Sequence, residues 1–488
     1  GYLLLVLFLP VLAGAQPPLQ IQGSNRAEFW GYRTEWQTHF EDKLDLSLGY
    51  GDIRGGIGLL LFEPSKHSPA VRKPLFLFDY SLAYSPEQLE VLVGRYYQEF
   101  GRGLVLRTYS DEDFRHYKSL HGLRGRLRLP LGAELVLLGG RLRDVFFQEN
   151  TYKVTNSSDT TDGLLGAELQ YSPVSLLSAS GRYVRINRDV DPSAKAFTEL
   201  FGGDGSVQFG PVSLYGEGCW RLGTRPGIGG REKGFGWFVS GSMALPGFSV
   251  LAEYMDYDRI GFPTGVYRYN DPPTPIKSGV ALNRGIDERG WGITGGGTLP
   301  TGTYAEVNFG RLFVHDDTGA GVIEWETRAR HSAGAEWTFE AKFNHMLQKN
   351  VEQGTYRRIT DRPILLVNYL FGRHSFSLEL ECGFVCEEPT DTSHGSRWHY
   401  HEPLVSFSWG IGEPLLFTLG WQGVDKDSLK RYSNEKSWPM FETVWNITEQ
   451  NMLRLRIGAE KGGYTCSGGV CRYESPFNGL KLQLISQF

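Results

Sequence analysis

The stretch Leu480-Lys481-Leu482-Gln483-Leu484-Ile485-Ser486-Gln487-Phe488 ends the sequence. Leu480, Leu482, Leu484 and Phe488 fall on one parity, with Ser486 the weak member. Lys481, Gln483 and Gln487 fall on the other, with Ile485 the exception. A strand sends alternate side chains to opposite faces, so this segment predicts a strand with one apolar and one polar face. Antiparallel sandwiches alternate in the same way, so the rest of the chain has to decide the fold.

The rhythm recurs throughout. Leu44, Leu46, Leu48 and Tyr50 alternate with Asp45, Ser47 and Gly49. Leu165, Ala167, Leu169 and Tyr171 alternate with Gly166, Glu168 and Gln170, and Ala305, Val307 and Phe309 with Tyr304, Glu306 and Asn308. Leu453, Leu455 and Ile457 alternate with Arg454, Arg456 and Gly458. A charge facing a watery lumen costs little, whereas Arg at a lipid midplane costs ~2–4 kcal/mol, so the two faces sort themselves. Connections alternate in length too. Tight turns are expected near 51–52, 85–86, 130–132, 172–173, 210–211, 246–247, 300–302, 371–374, 412–414 and 448–451. Most of these carry Gly or Pro. Longer polar loops fall near 63–73, 149–162, 258–287, 350–357, 387–397 and 424–438.

Short turns at one end and long loops at the other predict an all-β fold. It is a single large antiparallel transmembrane β-barrel over residues 16–488, with the first strand near Leu19. About 24 strands follow if a further turn falls near residues 330–333, and about 22 otherwise. Tandem sandwiches would show linkers and a less regular alternation. Residues 1–15 read as a secretory signal peptide: an apolar run over 2–12, then Ala13-Gly14-Ala15. Glycine is abundant (62 of 488 residues), against a usual ~7%. Mean hydropathy is −0.30. The net charge of −5 argues against a nucleic-acid partner.

A barrel this wide leaves a hole, and wide barrels are commonly plugged. The first strand starts too early for an N-terminal plug domain. Residues 96–118 are the expected infolded segment, with aromatics, glycines and both charge signs. Tyr96, Glu99, Arg102, Arg107, Asp111, Asp113 and Arg115 are its candidate constriction residues. Arg124, Arg126 and Arg128 share a face opposite Leu123, Leu127 and Leu129, and Arg141 and Arg143 follow. If these arginines point inward they make a basic stripe that favours anions. The alternative is that each pairs with an acid such as Glu99, Asp111 or Glu134 and braces the wall. Glu379, Glu381, Arg454 and Arg456 complete the candidate pore lining.

Five cysteines remain: Cys219, Cys382, Cys386, Cys466 and Cys471. Export permits disulfides, and a Cys466–Cys471 bridge is expected across Ser467-Gly468-Gly469-Val470. Cys382 and Cys386 cannot bond along one continuous strand, at roughly 13 Å apart, and pair only if the strand ends first, which Glu387-Glu388-Pro389 allows. His394, His399, His401 and Glu402 cluster near an outer loop and are read as solvated residues, so no metal site is expected. No haem, hydrolase or phosphate-loop motif occurs, so no cofactor and no enzymatic activity are expected.

Over residues 16–488 the chain resembles bacterial outer-membrane β-barrels of porin type. Its last strand is similar to their C-terminal sorting signal, with Ser486 where a second bulky residue is common. The segment Gln98-Glu99-Phe100-Gly101-Arg102-Gly103-Leu104 and the loop from Cys466 to Cys471 resemble an uncharacterised porin-like family in particular. The resemblance implies a place in the outer-membrane lipid bilayer. It also implies insertion by the barrel-assembly machinery through the strand ending at Phe488. It brings no substrate and no catalytic residues. The expected function is a channel for passive passage of small hydrophilic solutes. The alternatives are a sleeve holding a periplasmic, lipoprotein or electron-carrier protein in the lumen, and a lipid-modifying enzyme drawing on His121 or His345.

Overall fold

A computed structural model describes residues 18–33, 38–64, 75–112, 115–148, 151–155, 163–188, 196–224, 231–261, 269–278, 282, 287–315, 319–351, 355–390, 397–425, 436–467, 470–474 and 476–488. The expected signal peptide, Asp113 and His394 lie outside them. The main sheet has 26 strands, two of which, Tyr109–Asp111 and Thr151–Thr155, are short additions. The other 24 form a closed antiparallel barrel wall.

In chain order the wall strands are β1 (Gln20–Tyr32), β2 (Thr38–Tyr50), β3 (Ile53–Pro64), β4 (Leu75–Tyr84), β5 (Leu89–Tyr96) and β6 (His116–Leu129). Next come β7 (Ala133–Gln148), β8 (Gly163–Val174), β9 (Leu177–Arg188), β10 (Ala196–Phe209), β11 (Val212–Thr224) and β12 (Arg231–Leu245). They continue with β13 (Phe248–Asp258), β14 (Asp287–Thr298), β15 (Tyr304–Phe313), β16 (Gly321–Ala333), β17 (Trp337–Lys349) and β18 (Thr355–Phe371). The last are β19 (His374–Pro389), β20 (Trp398–Ile411), β21 (Leu415–Gly423), β22 (Ser437–Thr448), β23 (Asn451–Glu460) and β24 (Phe477–Gln487). Each pairs antiparallel with its chain neighbours, and β1 pairs with β24 to close the ring.

The closure uses residues 479–487. Ser24 to Tyr32 pair with Gln487 to Gly479. The Gly23 N–H donates to the Phe488 carbonyl (2.7 Å), and the Phe488 N–H donates to the Gly23 carbonyl (3.0 Å). The Phe488 ring lies over Gly23, where a Cβ would sit 2.6 Å from its Cζ. Leu482 and Leu484 face out, and Lys481 and Gln483 face the lumen opposite Trp30 and Glu28. Ile485 therefore joins the lumenal face, as its parity requires.

The register also draws the membrane band. Outward positions near the tight turns, such as Leu48, Leu82, Leu127, Leu169, Val207, Leu214, Val307 and Leu365, carry no Asp, Glu, Lys or Arg among the described residues. Trp337, Tyr369, Phe376, Trp409 and Phe417 stack around part of that end. Trp237, Tyr254, Trp291 and Phe309 form a second aromatic group nearer the loops. Two aromatic girdles around an apolar belt are the outer surface of a bilayer-spanning barrel.

Two turns fall a few residues from their expected places. The chain turns at Ser175-Leu176, because β8 runs through a bulge between Tyr171 and Val174 that accommodates Pro173. The turn expected near 330–333 is at 334–336, where Gly334 takes φ 68°. Gly23→Val should push the Phe488 ring off its seat and destabilise the closure by about 1–3 kcal/mol. Reduced heat-modifiability on gels is the readout. An unchanged unfolding temperature would mean that the ring contributes nothing there.

Candidate lumenal constriction

The infolded segment starts later and ends earlier than the sequence reading places it. Tyr96 and residues 116–118 belong to wall strands, so the described part of the segment between them is residues 97–112, of which Tyr109–Asp111 pairs back onto β6. Tyr96 is nevertheless buried, and its hydroxyl lies 3.2 Å from the carbonyls of Leu123 and Gly139. The segment lies along the inner wall. Phe100, Leu104, Val105 and Leu106 are fully buried against lumen-facing Leu138, Val184, Leu200, Cys219, Phe238 and Met255.

Glycines in the wall provide the seats. A Cβ on Gly166 would sit 2.9 Å from Leu138 Cδ1 and 3.3 Å from the Phe100 ring, and one on Gly202 would overlap Val105 Cγ2. At the tip, Gly101 takes φ 61° and passes so close to Arg182 and Glu217 that no side chain fits. The Arg102 N–H donates to Glu217 Oε2 (2.8 Å). Arg182 in turn is held by Glu168 (3.4 Å), Glu217 (2.9 Å) and Asp204. The Arg102 guanidinium lies 4.4 Å from the Tyr215 ring centroid and 3.6 Å from Glu253.

A second loop, which the sequence reading treats only as a long polar connection, joins the first inside the barrel. The Asp271 N–H donates to the Gly103 carbonyl (3.0 Å), and the Arg107 N–H to the Tyr269 carbonyl (2.8 Å). Asn270 Nδ2 donates to the Leu104 carbonyl (2.9 Å). Arg107 also pairs with Asp271 (3.2 Å) and Glu99 (3.6 Å). The loop then runs over β14 to β16. Ile276 lies over Gly310, Lys277 pairs with Glu306, and Glu324 accepts from the Ser278 N–H.

At its far end the first segment is tied to the closure seam. Arg115 bonds Glu28 and Glu41, and its guanidinium lies 4.7 Å from the Trp30 ring. Glu112 pairs with Lys43 (2.6 Å) and Arg26 (3.3 Å) and accepts from the Tyr117 hydroxyl (2.9 Å). Burial works against the Glu112 charge, but Lys43, Arg26 and Tyr117 together hold its carboxyl below the usual range. Asp111 lies in the short strand paired with β6.

The stripe expected on the next hairpin divides. Arg124, Arg126 and Arg128 stand opposite Leu138, Val136 and Glu134 in register and share their lumenal face. Arg124 pairs with Glu90 (2.5 Å) and Arg126 with Glu134 (3.2 Å), so these arginines brace the wall. Arg128 donates to the Glu87 carbonyl (2.8 Å). Arg141 and Arg143 do not join them. Their odd parity puts them on the face of Leu137, away from the lumen, because the register of the hairpin leaves no slip between 133 and 146.

Across the lumen, β18 to β24 make charge pairs among themselves. Arg362 pairs with Glu381 (3.2 Å) and Glu402 (3.4 Å), and Lys461 with Glu402 (2.6 Å). Arg456 pairs with Glu442 and Glu460, and Lys481 with Glu460. Arg454 lies 4.0 Å from Glu442, and Glu379 shares the parity of Glu381. Cys382 and Cys386 lie on one unbroken strand and are free thiols, as is buried Cys219. The backbone sets Cys466 opposite Cys471 in a small hairpin, and their side chains lie outside the described residues. No group of three or more metal-ligating side chains occurs among the described residues.

A protein family of unknown function (DUF6029) matches residues 62–270 and 424–488, more than half of the chain. No curated protein matches. Among solved structures, the translocation pore of the P pilus usher PapC is similar at a TM-score of 0.51 and 10% identity, covering 96% of this chain and 99% of that one. The copper transporter OprC gives 0.47 and 10%, covering 98% and 82%. OpdO of Pseudomonas aeruginosa gives 0.43 and 12%, covering 72% and 96%. At these identities the likeness is one of fold: an outer-membrane β-barrel.

The glycine seats predict a contrast. Gly202→Val should destabilise the barrel by about 1–3 kcal/mol, because Val105 has nowhere to move. Gly216→Val, where a Cβ meets nothing within 4 Å, should be near neutral in the same unfolding titration. Equal effects would mean that the seats do not matter. The Glu112 tether predicts a pH dependence. A depressed carboxyl pKa stabilises the docked segment at neutral pH, and that contribution disappears as pH falls through the folded value. Current through single barrels should stay quiet down to about pH 4, the usual glutamate range, and become noisier below it. Glu112→Gln should be noisy already at pH 7.

Proposed function

The chain belongs to this family of unknown function (DUF6029), and we propose that it is a passive outer-membrane channel for small hydrophilic solutes rather than an enzyme. The observation that carries this reading is the lumen itself. Two inward segments, described over residues 97–112 and 269–278, line the wall from the closure seam to β16. The charged faces of β18 to β24 are left to border the remaining space. Passage runs between them. Glu99, Arg102 and Arg107 are partly exposed on the loop side, and Arg362, Arg454 and Arg456 on the wall side. Mixed, mutually paired charges favour water and small polar solutes over one sign of ion. In an oxidising compartment the hairpin around Cys466 and Cys471 would be closed by a disulfide on the outer surface.

Deleting residues 100–113 tests the reading. Single-channel conductance of the purified protein should rise several-fold on deletion, since the segment occupies lumen that would otherwise hold water. Absence of current in both forms would sink the channel. A second protein retained in stoichiometric amount after gentle extraction would favour a sleeve instead.

A further inference from the structure

One place in the wall is not sealed by its backbone. Between β4 and β5 the ladder is limited to Ser81 to Tyr84 paired with Val91 to Gly94. Gly94 takes φ 114°, and β4 slips in register against β3 between Gly58 and Leu59, which pushes Phe78 out of line. Beyond that point residues 75–80 have no ladder partner on the β5 side among the described residues.

Side chains fill the gap. Arg95, only 2% exposed, lies 4.4 Å from the Phe78 ring centroid. Its Nε donates to Ser119 Oγ (2.7 Å), and it also donates to the Phe78 carbonyl. Arg143 reaches the seam from β7, with Nη1 3.4 Å from the Leu77 carbonyl. The Tyr80 hydroxyl lies 3.4 Å from His121 Nδ1. Leftover polar atoms collect here: Asp79 Oδ1, Arg95 Nη2, His121 Nε2 and Arg143 Nε are buried without a partner. Arg141 is exposed on the same face as Arg143 and has no acidic partner among the described residues. Arg95 and Arg143 thus meet one carboxylate, Asp79, with exposed Arg141 two residues along the same strand face, and partly buried cations in excess of their counter-charge call for an anion.

The height of the seam says where that anion comes from. Arg141 and Arg143 stand about eight to ten residues above the turn at 130–132, or roughly 20–25 Å for a tilted strand. That is the far edge of an apolar band that begins at the turns. Leu75 and Leu77 are exposed on the outer surface beside the gap.

We propose that this seam binds the head group of an amphiphile from the outer leaflet. A phosphate ester is held by Arg95, Arg141 and Arg143, and its hydrocarbon chain lies on Leu75 and Leu77. Guanidinium forks match phosphate oxygens in geometry as well as charge. The site is reached from the outer surface beside Leu75 and Leu77 and does not depend on whether the lumen conducts.

The test uses the full chain in neutral detergent with dodecyl phosphate as the probe, counted by native mass spectrometry. One dodecyl phosphate should stay bound to the wild type. Binding to the Arg141→Gln/Arg143→Gln double variant should be weaker by at least about tenfold. Both proteins are checked for the heat-modifiable band of a folded barrel. Excess inorganic phosphate should not displace the probe. Equal binding by both proteins overturns the site. Full displacement by inorganic phosphate overturns it as a lipid site and makes it one for free phosphate. Conductance of the double variant should match the wild type, because neither side chain faces the lumen. A changed conductance with unchanged binding would place these arginines inside and overturn the proposal. Failure of the channel would instead appear as absent current in the wild type.

Discussion

Every backbone N–H and C=O in a bilayer has to find its partner within the protein, because lipid offers none. That constraint explains why the chain closes on itself. An open sheet would leave two unpaired edges in hydrocarbon, so β1 and β24 meet across nearly their whole length. The last residue continues the ladder through both its N–H and its carbonyl to Gly23. The apolar face of residues 480–488 is therefore a lipid face, and its polar face belongs to the lumen. Alternation along all the other strands is the same solution repeated. The seam at β4 is the exception that the constraint makes informative. Where the ladder stops, arginines take over the carbonyls that a strand would have satisfied.

Closure creates the next problem. The wall fixes a circumference, and the circumference leaves a hole too wide for side chains alone to fill. This barrel narrows it with its own long connections. A loop lying flat on a pleated wall has to come within van der Waals distance of backbone, and only glycine leaves that room. This accounts for wall glycines such as Gly166, Gly202 and Gly310, which have no turn to make and no strand propensity to offer. The glycine content noted in the sequence thus has two sources, and only the turns were visible at that level.

The architecture was legible because it is periodic. Strand alternation, turn chemistry and the unequal lengths of the connections each point to a barrel independently, and the extra turn near residue 330 was enough to favour 24 strands. Deviations came where a bulge or a wall-strand extension moved a boundary, as at Pro173 and at residues 116–118. The lumen was less legible. Arg124 and Arg126 are recognisable as inward from their parity with Leu123 and Leu127. Their partners Glu90 and Glu134 come from neighbouring strands, and register is needed to know it. Arg141 and Arg143 were misplaced because a run of arginines suggests one face, whereas the hairpin register puts them on the other. The inward course of residues 269–278 was missed because nothing local distinguishes a loop that folds inward from one that folds out. Only the contact of Asn270 with Leu104, far away in sequence, decides it.

A buried ion pair gains attraction and loses hydration, and the balance is commonly near zero. The Arg115 pairs with Glu28 and Glu41 are thus weak evidence for stability as such. They are better evidence for position. Removing one partner leaves a buried charge unpaired, which costs far more than the intact pair gains. An arrangement of this kind tolerates one docked geometry and penalises its neighbours. The apolar residues Phe100, Leu104, Val105 and Leu106 supply the attraction that draws the segment to the wall. The Arg115 ion pairs at the closure seam and the hydrogen bond from the Arg102 N–H to Glu217 determine where along the wall it stops. Burial and charge therefore have separate tasks in the same segment: one keeps it inside the barrel, and the other sets the shape of the passage it leaves.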